Sequence, residues 1–119
     1  MDKQIYDLLS KHLNESVTEF VENGEKYKIK SYIGNHFCTV SVSVDNKYQI
    51  DDEAIALLNK VEYSQYKYKI EDGKRLVVST SMWIDKKPTK QSLTELIVVL
   101  MSTLKSAKIL INNMYDWWR

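Results

Sequence analysis

The sequence predicts an α+β domain, an antiparallel sheet with its helices segregated, and three observations carry that expectation. Five short segments alternate apolar and polar residues, whereas three segments repeat their apolar residues at helical spacing. Gly24, Gly34 and Gly73 each fall between two alternating segments and read as hairpin turns. The resulting order is helix, three strands, helix, two strands, long helix, which separates helices from an antiparallel sheet. With 119 residues the chain is sized for one domain, residues 1–119, with a core of its own.

The first helix is expected over residues 2–13, with Ile5, Leu8, Leu9 and His12 on its buried side. A strand near Val17 to Glu22 then turns at Asn23-Gly24, a pair suited to a type I′ turn. That register sets Phe20 against Tyr27 on one face and Glu19 against Lys28 on the other, both favourable pairs. The strand "KYKIKSYI" turns at Gly34-Asn35 into "HFCTVSVSV", which would pair Tyr27 with Val42, Ile29 with Val40 and Ile33 with His36. One face is then apolar, and the other carries Lys26, Lys28, Lys30, Thr39, Ser41 and Ser43.

"DDEAIALLNKVEY" reads as a helix capped by Asp51, with an apolar stripe of Ala54, Leu57, Leu58 and Val61. In the next hairpin, "YKYKIEDGKRLVVSTSMWID", a two-residue Asp72-Gly73 turn would set Tyr68 against Val77 and split the apolar set between faces. A three-residue loop, Glu71-Asp72-Gly73, with a left-handed Gly73 bulge instead pairs Ile70 with Lys74, Tyr68 with Leu76 and Tyr66 with Val78. That register reunites the set and is preferred. The last helix opens at Thr89 as N-cap, with a core stripe of Leu93, Leu96, Ile97, Leu100, Leu104, Ala107, Ile111 and Met114.

Composition bounds the function. The formal net charge of +1 gives no global attraction to nucleic acid or anionic membrane. Cys38 is the single cysteine, so no internal disulfide forms and a reducing, cytoplasmic home is expected. The start, "MDKQIYDLLSKHL", has no signal-peptide run, and "LIVVLM" is too short to span a bilayer, so no membrane insertion is expected.

The stretch from about Ala54 to Ala107 resembles the YbjN-type family of bacterial sensory-transduction regulators, within the type III secretion chaperone-like fold. "AIALLNKV", with its Leu58-Asn59 pair, is similar to that family's middle helix. "YKYKIEDGKRLVVSTSMWID" is similar to its hairpin and "TKQSLTELIVVLMSTL" to its final helix. The resemblance implies a secretion-chaperone-like fold and a dimeric protein-binding module.

No catalytic signature stands in the sequence. His36 and Cys38, two apart on one strand face, offer two metal ligands where zinc needs four, or three and a water. They read as an edge histidine and a buried thiol, and neither metal nor cofactor is expected. Asp51, Asp52 and Glu53 complement a helix dipole more simply than they make an acid–base site. Lys26, Lys28, Lys30, Lys67 and Lys69 form a basic sheet face beside Tyr32 and Phe37, and such lysines read first as a solvated guard against edge aggregation.

On the last helix, Val99, Leu110 and Trp117 make a second apolar line, covered either by the sheet or by another subunit or client. Trp117 and Trp118 read first as packing back onto the domain; left exposed, they are interface anchors. The expected function is a non-catalytic protein-binding module, chaperone-like or regulatory. It would act as a homodimer with a further protein client through Val99, Leu110, Trp117, Trp118, Tyr32 and Phe37. The alternative is a single-stranded nucleic-acid-binding module using the lysine face, which the balanced charge disfavours.

The bulged register makes Gly73 the position to test. Gly73→Val should lower stability by about 1–2 kcal/mol through the left-handed penalty, read from the urea midpoint.

Overall fold

The computed structural model describes residues 15–46, 50–61, 66–86 and 88–118. The helix expected over residues 2–13 lies outside them. Five strands, β1 (Glu15–Glu22), β2 (Glu25–Ile33), β3 (Phe37–Asp45), β4 (Tyr66–Glu71) and β5 (Arg75–Trp83), form one sheet in the order β1-β2-β3-β5-β4. Every neighbouring pair is antiparallel. Helix α1 (Asp52–Val61) follows β3, and α2 (Lys90–Trp118) ends the described chain.

The three hairpins keep the expected faces but not all of the expected partners. In the first, Phe20 pairs with Tyr27 and Glu19 with Lys28. Asn23 and Gly24 both take positive φ, 52° and 80°, as a type I′ turn requires. In the second, Ile33 pairs with Cys38, Ile29 with Val42 and Tyr27 with Val44, two residues away from the expected register. The Gly34 amide donates to the Phe37 carbonyl at 2.8 Å, so the turn residues are Asn35-His36 and not Gly34-Asn35. Gly34 is not in the left-handed region. A Cβ there would stand 3.3 Å from the Phe37 oxygen and from Cε1 of Tyr32, so the glycine makes room for a close approach.

The third hairpin pairs Glu71 with Arg75, Ile70 with Leu76 and Tyr68 with Val78. Asp72 and Gly73 are left-handed, φ 55° and 76°, and Lys74 is the extra residue. The loop is thus Asp72-Gly73-Lys74 rather than Glu71-Asp72-Gly73. Tyr68 and Leu76 still share the buried face, as the apolar set demands. The carbonyls of Gly73 and Lys74 accept the amides of Ile50 and Asn46 at 2.9 Å each, tying the exit of β3 to this turn.

The core lies between one face of the sheet and the two helices. Tyr27, Ile29, Val40, Val42, Val44, Leu76 and Val78 face Leu93, Ile97, Leu100, Met101, Leu104 and Ile111 of α2, which packs on β3 and β5. Thr89 caps α2, its hydroxyl accepting the Ser92 amide at 3.1 Å. The buried arc of α2 includes Met101, which the expected stripe omitted, while Leu96 and Met114 are only half-buried. At ~1.5 Å per residue α2 is about 43 Å long, and the longest dimension of the molecule is 47 Å.

Helix α1 begins as expected, with the Asp51 carboxylate accepting the Ala54 amide at 2.8 Å. It buries Ala54 and Leu58 and rests Ile55 on the core, while Leu57, expected inside, is exposed. With Ala54 at 0° on the helix, Leu58 lies about 40° and Ile55 about 100° to one side and Leu57 about 60° to the other, so the packed arc has turned toward Ile55. From this helix the Asn59 amide reaches the outer edge of the sheet. It donates to the Tyr68 carbonyl at 3.0 Å and accepts the Tyr68 amide at 2.9 Å. Two backbone groups of the edge strand are satisfied in this way, and a template for strand addition is blocked.

Asn59→Ala leaves both Tyr68 groups to water and should lower stability by about 1–2 kcal/mol. Urea unfolding with an unchanged midpoint would contradict this role for the side chain.

Candidate functional site

Two exposed surfaces lie on opposite sides of the molecule. The residues expected to form one binding surface are therefore split between them: Val99, Leu110 and Trp117 lie on α2, while Tyr32 and Phe37 lie on the far face of the sheet. The side chain of Trp118 is outside the described set.

The solvent side of α2 is apolar at four positions. Val99, Ile109, Leu110 and Trp117 are 44%, 61%, 49% and 85% exposed. The sheet does not wrap over this line, and Trp117 does not pack back. The sheet meets α2 through β3 and β5 on the opposite side, so no described strand is placed to cover this line. Ile109 was missed by the sequence reading; a wider arc around Val99 and Leu110 would have found it.

Two lysines explain why this side of α2 is also free of charge. Between Val99 and Asn113 the charged residues are Lys105 and Lys108. Both turn toward the β1–β2 turn, where Lys105 Nζ meets Glu22 Oε1 at 2.9 Å and Lys108 pairs with Glu25. The surface left between Val99 and Asn113 carries Ser102, Thr103, Ser106, Ile109 and Leu110. The Thr103 hydroxyl donates to the Val99 carbonyl at 2.8 Å, so its polar atom is already engaged within the helix.

Beneath these pairs the Tyr27 hydroxyl donates to Glu25 Oε2 at 3.2 Å. Burial raises the Tyr27 pKa well above that of a free phenol, and the charge of Glu25, its hydrogen bond and Glu22 push the same way.

The outer sheet face is built by the other half of the same alternation. Lys26, Lys28 and Lys30 line β2, and Lys67 and Lys69 line β4. Between them Thr39, Ser41, Ser43, Ser79 and Ser81, with one apolar residue, Val77, occupy β3 and β5. The two lysine rows are three strand spacings apart, about 14 Å, so they flank a hydroxyl floor and do not merge into one patch. Arg75 spans one end, with its guanidinium 3.0 Å from Asp45 and 3.2 Å from Ser43 Oγ. At the other end Phe37 meets Trp83 edge-to-face, ring centroids 5.4 Å apart, beside exposed Tyr32. Trp83 is 82% exposed. The sequence reading passed over it, although the alternation that buries Leu76, Val78 and Thr80 places Trp83 on the polar side.

His36 and Cys38 do not share a strand face. His36 sits exposed in the turn, where its carbonyl accepts the Ile84 amide at 3.0 Å, while Cys38 is buried on the core face. Burial pushes the Cys38 thiol up. Among the described residues no group of three or more His, Cys, Asp or Glu could hold a metal ion. Among them, too, no helix is long and apolar enough to cross a membrane.

The class these features define is an α+β domain with one buried sheet face and two exposed surfaces. No protein-family model matches the chain, and no curated protein matches it in sequence. Its structure is similar to the crystal structure of YbjN from E. coli, a candidate transcription regulator by its description, with a TM-score of 0.49 and 11% identity. That match covers 95% of this chain and 90% of the other. At such values the likeness carries no argument about family or activity.

The raised Tyr27 pKa has a signed consequence. The unfolded phenol ionises from about pH 10 while the folded one stays neutral, so stability is lost as pH rises beyond that point. Tyr27→Phe should flatten the fall in urea midpoint across that range relative to the native chain, and equal slopes would contradict the assignment.

Proposed function

We propose that the chain is a non-catalytic protein-binding module that works as a homodimer, paired through the outer side of α2. The observation that carries this reading is the run from Val99 to Asn113, whose two charged residues, Lys105 and Lys108, are both drawn back to Glu22 and Glu25. An ordinary solvent-facing helix alternates charges there. The four exposed apolar side chains present on the order of 400 Å², within the range of functional patches on monomers. At ~25 cal/mol per Å² that is about 10 kcal/mol per subunit, of the same order as the cost of association.

The distribution of size along α2 supports a two-fold, antiparallel pairing. After Val99, small side chains (Ser102, Thr103) occupy the first half of the surface, and large ones (Ile109, Leu110, Trp117) occupy the second. A two-fold axis at Ser106 sets Leu110 of one copy against Ser102 of the other, Ile109 against Thr103 and Val99 against Asn113. Trp117 then meets Glu95, whose carboxylate is an acceptor for the indole N–H. A parallel pairing would stack large on large and leave the small residues facing a void. Action on a further protein would be by binding, chaperone-like or regulatory.

Ser106→Cys tests this pairing, because a residue on the axis faces its own copy and Cys38 is buried. Mild oxidation should yield a linked dimer, reduced at least about ten-fold in yield by added Leu110→Ser and Trp117→Ala with helix content unchanged. An introduced thiol that reacts freely with maleimide but does not link, or that links equally in the triple variant, would overturn the proposal.

A further inference from the structure

We infer that the outer face of the sheet is a binding site for single-stranded nucleic acid, separate from the α2 surface and independent of pairing. The lysines alone carry no such reading, since exposed strands commonly display them. What changes their meaning is the aromatic cluster beside them. Tyr32, Phe37 and Trp83 come from three adjacent strands, β2, β3 and β5, and all three are exposed on the lysine side. A tryptophan left 82% in water has an apolar ring with no partner on at least one side, and a flat π-face is what an unstacked base seeks.

The register sets the distances. The row Lys30–Ser41–Ser79–Lys67 lies one same-face step from the Tyr32–Thr39–Ser81 row and two steps from Phe37–Trp83. Each step is about 6.8 Å, twice the strand rise, so bases stacked on the cluster place their phosphates within reach of Lys30 and Lys67. Thr39, Ser41, Ser79 and Ser81 supply hydroxyls across the floor, and small side chains there let a chain lie close to the sheet.

Charge on this face favours a polyanion. Lys26, Lys28, Lys30, Lys67, Lys69 and Arg75 meet only Glu19, Asp45 and Glu71 among the described side chains. Two of those three carboxylates are already paired, Asp45 with Arg75 and Glu71 with Lys69. All three aromatics stand at the end opposite Arg75 and its partners. A duplex is a poor fit, because its bases are already stacked and unavailable to Trp83. An acidic peptide would use the lysines but leave the aromatic end unexplained.

The test is fluorescence anisotropy of a labelled oligodeoxythymidine of about ten nucleotides, titrated with the full chain at low salt. Micromolar binding is expected. Its log affinity should fall with log salt at a slope of roughly −2 to −3, as three or four lysine–phosphate contacts require. Trp83→Ala should weaken it about ten-fold, and Lys30→Glu with Lys67→Glu should weaken it and flatten the slope. Trp83 is exposed, so its variant keeps the fold, which unchanged circular dichroism confirms. Four results would each overturn the inference. These are no binding at low salt, affinity indifferent to Trp83→Ala, equal affinity for a duplex of the same length, and equal affinity for polyglutamate of matching charge.

Discussion

The apolar face of the sheet, with Tyr27, Ile29, Val40, Val42, Val44, Leu76 and Val78 in adjoining strands, is buried against α2 with α1 beside it, and five strands must agree on which side that face lies. A slip of one residue in any pair would turn a strand's whole apolar set to water. Each hairpin meets this constraint with a different device. Asn23-Gly24 uses two left-handed residues, and Asn35-His36 closes a tight turn that Gly34 leaves clear for the Tyr32 ring. Asp72-Gly73 adds the extra residue Lys74, whose carbonyl then anchors the strand exit at Asn46. The opposite face follows without further choice: once the core set is inside, the lysines, hydroxyls and Trp83 are outside.

The same burial shapes the outside of α2. Its inner side is committed to β3 and β5, and Lys105 and Lys108 reach the β1–β2 turn to pair with Glu22 and Glu25. Those pairs stand beside the Glu25–Tyr27 hydrogen bond, so the end of the first hairpin and the helix hold one another in place. A by-product is a helix surface stripped of charge over Val99 to Asn113. The same two lysines thus tie the helix to the first hairpin and leave its outer surface to uncharged side chains.

Alternation made the faces legible in the sequence, because side-chain direction along a strand has a strict period of two. Cross-strand partners were less legible. Two of three hairpins pair two residues away from the expected partners, and such a slip leaves every side chain on its own face, so pattern alone does not register it. Glycine position misled at Gly34, whose service is space and not turn conformation. Helix stripes were legible only in part, with Met101 buried and Ile55 packed on the core beyond the expected stripes and Leu57 turned outward, since a wheel does not say how far a neighbouring surface extends. Both lysine rows were named, but their separation by β3 and β5 depends on strand order, which local sequence does not encode. Trp83 and Ile109 were not legible as surface residues, because whether an apolar side chain is covered depends on tertiary packing that local pattern does not carry.

Pairing through α2 is the claim on which the functional reading rests, and sedimentation equilibrium of the unaltered chain tests it most directly. The account predicts a species of about twice the 14.0 kDa chain mass at micromolar concentration, with little response to salt, since the two lysines between Val99 and Asn113 are each paired with a carboxylate of their own subunit. A chain that remains at 14.0 kDa up to high micromolar concentration would contradict it.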